Sequence, residues 1–229
     1  MRIVAEIAIL YPTVKPTIRK YRDRDREEIR KIAASTVTGY PRSDLKLVAD
    51  LLISYYVNCE PEHLLVAEVE DGVVGYLSGC FNSTRCRWIK GIRIIPGAVV
   101  RALVRGEVGW REVRYLGSFI YVAAHGGLRS SPPPGYPAHF HINVAKNWRG
   151  RGLGTKLVES FFEMLRKNEI SGVHVRVRKN DRRASRFFRS LGFTRENGYP
   201  VLVAEGNKFR TSRSIIYTKE LSGSKFSES

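Results

Sequence analysis

The sequence predicts a mixed α/β fold in one domain that carries an insertion, and three observations lead there. Strand-like and helix-like periods alternate along most of the 229 residues, a hairpin signal stands at Asp71-Gly72, and the glycine loop Arg149-Gly150-Arg151-Gly152-Leu153-Gly154 joins a strand to a helix. At the start, Met1 to Tyr11 reads as a strand interrupted by Glu6, with a signal peptide as the alternative. A short strand between Pro16 and Tyr21 leads to Asp25-Arg26-Glu27-Glu28, which has capping-box spacing, and Ile29, Ile32 and Ala33 then recur at helical period. A second helix is expected from about Ser43 to Asn58, with Val48, Leu51, Leu52, Tyr55 and Tyr56 near one face. Leu64 to Val69 and Val73 to Phe81 are the arms of the hairpin.

Asn82 to Ala138 breaks this rhythm and reads as a helical insertion, with segments around Ala98 to Arg105 and Glu112 to Ala124 and exposed-type aromatics at Trp88, Trp110 and Tyr115. Next come a strand, His139 to Val144, the glycine loop, and a helix with Leu153, Leu157, Phe161, Met164 and Leu165 at spacings of three and four. A strand at Val173 to Val177 precedes a helix, Asp181 to Leu191, whose Ala184, Phe187, Phe188 and Leu191 share one side; Gly192 stands where a left-handed cap belongs. Phe193 to Glu196 and Ser214 to Thr218 are strand-like. Residues 1–221 are thus one domain, 82–138 its insertion, and 222–229 a flexible tail.

Composition excludes several classes. An apolar share of 43% with 10% aromatics is globular, and no apolar run approaches the roughly 18 residues that span a bilayer, so no membrane is expected as a partner. Cys59, Cys80 and Cys86 are odd in number, unevenly spaced and distant from any histidine pair, which indicates neither a disulfide framework nor a metal site and makes the cytoplasm the expected compartment. The net charge of +17 concentrates anionic ligands.

Strand, glycine loop and helix in direct succession make an anion site, because a helix's first turn presents unpaired N–H groups and about half a positive charge. Gly150, Gly152 and Gly154 supply backbone freedom; Arg149, Arg151 and Lys156 add cations. The spacing is not the G-x-G-x-x-G of a dinucleotide fold, and the next strand ends in Arg176-Val177-Arg178 where an acid would be needed. Gly154-Thr155-Lys156 is not the Gly-Lys-Ser/Thr of a P-loop.

The string Ile142-Asn143-Val144-Ala145-Lys146-Asn147-Trp148-Arg149-Gly150-Arg151-Gly152-Leu153-Gly154 resembles the acetyl-coenzyme A signature of the GCN5-related N-acetyltransferases, its Arg149 to Gly154 matching the [R/Q]-x-x-G-x-[G/A] core. Ala184, Phe187, Leu191, Gly192 and Phe193 resemble that family's N-x-x-A-x-x-F-Y-x-x-x-G-F element. The resemblance covers about Pro16 to Thr218, with Asn82 to Ala138 outside it. It implies a mostly antiparallel central sheet flanked by helices, acetyl-CoA as cofactor, backbone contacts from Ile142, Asn143 and Val144 to the pantetheine arm, and donation from Arg149, Gly150, Arg151, Gly152, Leu153, Gly154 and Thr155 to the pyrophosphate. Two departures stand out. Asp181 occupies the place of the family's Asn, with Asn180 adjacent, and Phe188 occupies that of the Tyr often assigned to protonating the departing thiolate. Tyr136-Pro137-Ala138-His139-Phe140-His141-Ile142 with Gly172-Val173-His174-Val175 also resembles the acetyltransferase-like C-terminal region of O-GlcNAc hydrolases and their free-standing microbial relatives, which implies no established acceptor.

The implied chemistry is direct attack of a primary amine on a thioester. Losing a general acid costs 10² to 10⁴-fold as an order of magnitude, yet a thiol of pKa about 8.5 departs tolerably unassisted; Tyr199 and Tyr136 are candidate substitutes. A base is also needed, because an alkylammonium of pKa about 10.4 must lose a proton before attack. His139 and His141 alternate with Phe140 and Ile142 beside the presumed thioester and are the candidate catalytic residues, against the alternative that both only hydrogen-bond within the sheet; His174, Glu68 and Glu70 read as structural.

Arg182, Arg183, Arg186 and Arg189 form a basic helical face too extensive for one cofactor, either simply solvated or a nucleic-acid contact. The charge favours a small-molecule or acidic amine acceptor, the insertion is placed to cover the acceptor side, and a homodimer is compatible with the sequence. The competing functional class is a non-catalytic acyl-CoA-binding or partner-binding module.

Overall fold

The computed structural model describes residues 15–36, 46–70, 72–104, 106, 132–196, 200–205 and 208–221. The expected strand at Met1 to Tyr11, the helix at Glu112 to Ala124, Trp110, Tyr115, Tyr199 and the tail lie outside them. The chain runs β1 (Thr17–Lys20), α1 (Arg26–Ser35), α2 (Lys46–Cys59), β2 (Leu64–Val69), β3 (Gly72–Cys80), α3 (Ser83–Ile89), a π-helical turn (Lys90–Ile94), α4 (Ile95–Val104), β4 (Ala138–Val144), α5 (Leu153–Lys167), β5 (Gly172–Arg178), α6 (Arg182–Ser190), β6 (Thr194–Glu196), β7 (Pro200–Glu205) and β8 (Lys208–Glu220).

The strands form one sheet in the order β1-β2-β3-β4-β5-β8-β6, with β7 paired to the first half of β8. Every pairing is antiparallel except β4 with β5. The mixed α/β fold read from the sequence, with the mostly antiparallel sheet that the resemblance implies, is therefore present. Its hairpin turns at Gly72, whose φ of +119° a side chain would resist, and Gly192 has the left-handed φ of +78° expected after α6.

Alternation sends side chains to two cores on opposite faces of the sheet. On one, Leu65, Ala67, Leu77, Phe140, Val173 and Val175 meet Leu157, Phe161 and Leu165 of α5 and Phe188 of α6. On the other, Leu64, Val66, Tyr76 and Cys80 meet Ile29 and Ile32 of α1, Tyr55 and Tyr56 of α2, and Cys86 of α3. Helix α5 lies so close to β3 that a Cβ at Gly79 would overlap the Phe161 ring.

Three expectations are corrected. The capping box at Asp25 does not form: Asp25 makes no side-chain cap on α1, because Arg19 holds its carboxylate at 2.7 and 2.9 Å while the Arg22 amide donates at 2.8 Å, and Glu28 instead accepts from the Val73 amide at 2.7 Å. Arg19 also grips Glu68 at 2.6 and 2.7 Å, so two carboxylates compete for one guanidinium and tie β1, β2 and the approach to α1 together. The insertion opens with a helix that periodicity missed, α3, capped where the Asn82 side chain accepts from the Arg85 amide at 2.9 Å. The last strand is longer than Ser214 to Thr218, because residues 208–213 pair with β7, a strand the sequence reading did not contain.

Candidate functional site

β4 is the seam of the sheet. Toward β3 it is paired from His139 to Val144, but toward β5 it is paired only at Ala138↔Val173 and His139↔His174. Beyond His139 the two parallel strands diverge, and the backbone groups of β4 from Phe140 to Val144 that face β5 find no partner strand there. Unpaired strand groups demand hydrogen bonds, so this edge suits an extended ligand rich in amides. Ile142 and Val144 pack their side chains on the apolar core, which fixes the strand while leaving that edge open. Asn143 points to the other face and donates to the Tyr76 hydroxyl at 2.8 Å.

The open edge leads to the N-terminus of α5. Gly152 is its N-cap, with φ +76°, and offers no side chain to satisfy the first-turn amides, so the N–H groups of Leu153, Gly154 and Thr155 remain donors for an anion. Gly150, at φ +80°, turns the loop, and an added Cβ at Gly150 or Gly152 would meet nothing within 4 Å. Gly154 has a different reason: a Cβ there would press the Phe187 ring at 3.1 Å, so its glycine lets α5 and α6 approach and is not part of the loop's flexibility. Arg149 Nε donates to the Val144 carbonyl at 2.8 Å and ties the loop to the end of β4, while the Arg151 guanidinium stacks 4.7 Å over Trp148.

The second motif divides. Asp181 spends its carboxylate as the N-cap of α6, accepting from the Ala184 amide at 2.9 Å, and Asn180 is exposed in the preceding turn with its carbonyl bonded to the Arg182 amide at 3.1 Å. Phe188 is a core residue, 6% exposed, packed edge-on against Phe140, Phe187 and Phe193. The nearest phenol is Tyr217, its ring 6.3 Å from that of Phe188 and its buried hydroxyl without a hydrogen-bond partner among the described residues.

On the face under α2 and α3 His139 and His141 stand side by side, ring centroids 5.7 Å apart. The Ser83 hydroxyl donates to the Pro137 carbonyl at 2.6 Å, so it must accept from His139 Nδ1, also at 2.6 Å, which leaves the His139 Nε2 lone pair for the Tyr56 hydroxyl at 2.9 Å. Tyr56 in turn accepts from Lys90 Nζ at 3.2 Å. One proton-ordered chain therefore runs Lys90, Tyr56, His139, Ser83, Pro137. Desolvation first, then the neighbouring His141 and Lys90, holds the His139 imidazole well below its usual range, consistent with a neutral ring. His141 is an exposed residue whose ring packs on Tyr56 at 5.8 Å; desolvation first, then the Lys90 and Arg176 charges, lowers its pKa too. His174 is buried, donates from Nδ1 to the Tyr136 carbonyl at 2.8 Å, and is lowered by burial to about 4, a structural role. Burial also lowers Lys90.

Sequence spacing missed Tyr56, Ser83 and Lys90, because Tyr56 reads as one more apolar contact of α2 and the other two fall in the insertion. It also missed that Cys80, Cys86 and His139 place their ligating atoms within 4.8 Å of one another, because His139 lies more than fifty residues beyond Cys86.

The acetyltransferase (GNAT) domain family matches residues 116–195, a span that opens inside the segment set apart as an insertion and runs through β4, α5, β5 and α6. A search of curated protein sequences gives no match. Among solved structures, SsHAT is 23% identical, with 91% of this chain and 99% of that one covered at a TM-score of 0.65. Ard1 from Thermoplasma volcanium is 19% identical (90% and 97% covered, TM-score 0.52), and yncA from Salmonella typhimurium, solved with its cofactor acetyl-CoA, is 18% identical (91% and 95% covered, TM-score 0.52). Identities this low speak for the fold; the matched segment carries the loop and both motifs. The loop and both motifs thus lie in a segment that matches the acetyltransferase (GNAT) domain family, on a fold shared with these solved structures.

Proposed function

We propose that this protein is an acetyltransferase that takes acetyl from acetyl-CoA and passes it to a primary amine by direct attack, with no covalent enzyme intermediate. The observation that carries this reading is the continuity of two unsatisfied backbone surfaces, the open β4 edge and the uncapped start of α5. The pantetheine arm is a chain of amides ending in a pyrophosphate, and the site offers strand groups at Ile142 to Val144 followed by first-turn amides at Leu153 to Thr155. Arg149, Arg151 and Lys156 add the cations that a pyrophosphate requires.

Bound acetyl-CoA supplies an activated acyl group on a thiol leaving group. His141 faces the acceptor side of that strand, and a neutral imidazole there accepts a hydrogen bond from the incoming amine. Its lowered pKa makes it a poor base for a free alkylammonium of pKa about 10.4, but that acidity rises steeply once the nitrogen has attacked the thioester carbonyl. The amine therefore attacks as its neutral fraction, and His141 serves after attack, taking the N–H proton that the now cationic nitrogen releases as the tetrahedral intermediate collapses and the thiolate departs. The His139 ring, fixed by Ser83 and Tyr56, holds the neighbouring position.

Isothermal titration with acetyl-CoA tests the cofactor, and thiol release with a panel of amines tests transfer. Gly152→Glu places a carboxylate at the pyrophosphate site without touching the core and is expected to weaken binding at least 100-fold; wild type and variant titrating alike would sink the reading. A second reading, a non-catalytic acyl-CoA-binding module, is favoured by one observation: Phe188 brings no hydroxyl to the site. Tight binding with no thiol release on any amine would select it.

A further inference from the structure

Three element ends converge beside the histidine pair. Cys80 is the last residue of β3, Cys86 lies in α3, and His139 is the second residue of β4, directly across the strand pair from Cys80. Both cysteines are free and buried, and their Sγ atoms with a ring nitrogen of His139 all lie within 4.8 Å of one another. From this cluster the structure assigns a binding site for a thiophilic divalent cation, Zn²⁺ by preference, with Cys80, Cys86 and His139 as protein ligands.

The donor set selects the ion. Two thiolates and an imidazole suit Zn²⁺, whereas Mg²⁺ and Ca²⁺ demand oxygen shells. Two thiolates also cancel the ion's charge, which a buried position requires. Bonds of about 2.3 Å to sulfur and about 2.0 Å to nitrogen put tetrahedral ligands roughly 3.5 to 3.8 Å apart, so the donors need draw in by about 1 Å. An outer support for the histidine exists: Ser83 fixes Nδ1 of His139 and is itself held by the Pro137 carbonyl, and Ser83 is one turn before Cys86 on α3. Oxygen is close by: the Tyr55 hydroxyl stands 4.0 Å from Cys80 Sγ and donates to the buried Glu60 carboxylate at 2.6 Å. Lys90, one turn beyond Cys86, also reaches that thiol. The ion would fasten the first helix of the insertion to the sheet. Both ring nitrogens of His139 are engaged, so with Nδ1 kept by Ser83 the ion would take Nε2 and displace the Tyr56 hydroxyl.

The test uses the full chain, reduced and stripped of metal, with Co²⁺ as the optical probe. One equivalent is expected to produce thiolate-to-cobalt charge-transfer absorption, Zn²⁺ to erase it, and Cys80→Ser or Cys86→Ser each to weaken binding at least 100-fold while circular dichroism stays that of wild type. Absence of the band in wild type, or an equal band in Cys86→Ser, overturns the site. Independently of any variant, Zn²⁺ should slow alkylation of Cys80 and Cys86 at least tenfold and leave Cys59 unchanged; equal rates with and without Zn²⁺ overturn it as well.

Discussion

The two faces of the sheet are built on opposite terms. The face under α5 and α6 is filled by hydrocarbon: Phe140, Phe161, Phe188 and Phe193 meet edge to face, and Phe162 lies tilted on Phe193, among leucines and valines. The face under α1, α2 and α3 is filled by aromatics with polar tips, Tyr55, Tyr56 and Tyr76, and these hold Glu60, His139, Lys90 and Asn143 in hydrogen-bonded order. The first face holds a scaffold rigid at the one place where a strand must stand apart from its neighbour. The second keeps the His139 imidazole neutral and holds it oriented in a hydrogen-bonded chain. Close packing and buried polar networks thus divide the work between them.

Substitutions can break that contrast, beginning with the largest effect. Phe161→Ala removes a fully buried ring from the tightest contact with β3 and is expected to cost about 4 kcal/mol in denaturant unfolding, while a loss under 1 kcal/mol would mean the phenylalanine face is not the stabilising one. Acid should act only through the tyrosine face and the sheet residues that share its side. His139, His141 and His174 are kept neutral in the fold, whereas unfolded histidine titrates near 6.5. The unfolded chain therefore binds more protons below that value, so stability falls as pH drops from about 6.5 to about 4, by at most about 3 kcal/mol for His174. Asp25 and Glu60, lowered in the fold, add their own loss only below about 4.5. A series of thermal melts checks the upper window, which His174→Gln should flatten.

His141→Gln should lower kcat about 10 to 100-fold and leave the Kd for acetyl-CoA unchanged, because the residue lies on the acceptor side of β4; a change in Kd instead would move it to the cofactor's side. The smallest effect belongs to the polar atom that, among the described residues, is stranded in the hydrocarbon face. Tyr217→Phe discards a buried hydroxyl with no partner among the described residues and should raise the melting temperature by the equivalent of about 1 kcal/mol, with kcat unaltered. A collapse of kcat would give that hydroxyl the acid's role that Phe188 cannot fill.

How far these features could be read from the chain follows from how local they are. The loop was legible because Gly150 and Gly152 lie side by side between a strand and a helix with clear periods, and α6 was legible because Asp181 and Gly192 mark its two ends. Gly154 was misread as loop flexibility, since the reason for it is Phe187, more than thirty residues on. The capping box failed for the same reason: Arg19, outside the local window, claimed Asp25. β7 and the first half of β8 support each other, and residues 208–213, with three cations, announce no strand by themselves. Cys80, Cys86 and His139 share no spacing that a motif would register; only the closing of β3 on β4 brings them together.

The divergence of β4 from β5 also has a cost for the empty protein. A strand edge left unpaired in the middle of a sheet cannot be blunted by the lysines and prolines that guard outer edges, so water must stand in for the missing neighbour. Amides of Phe140 to Val144 directed at β5 are therefore expected to exchange with deuterium faster than those of β2, although both strands lie well inside the sheet order. A ligand that fills the gap completes the sheet as a guest strand, and its arrival should tighten backbone motion across both faces at once.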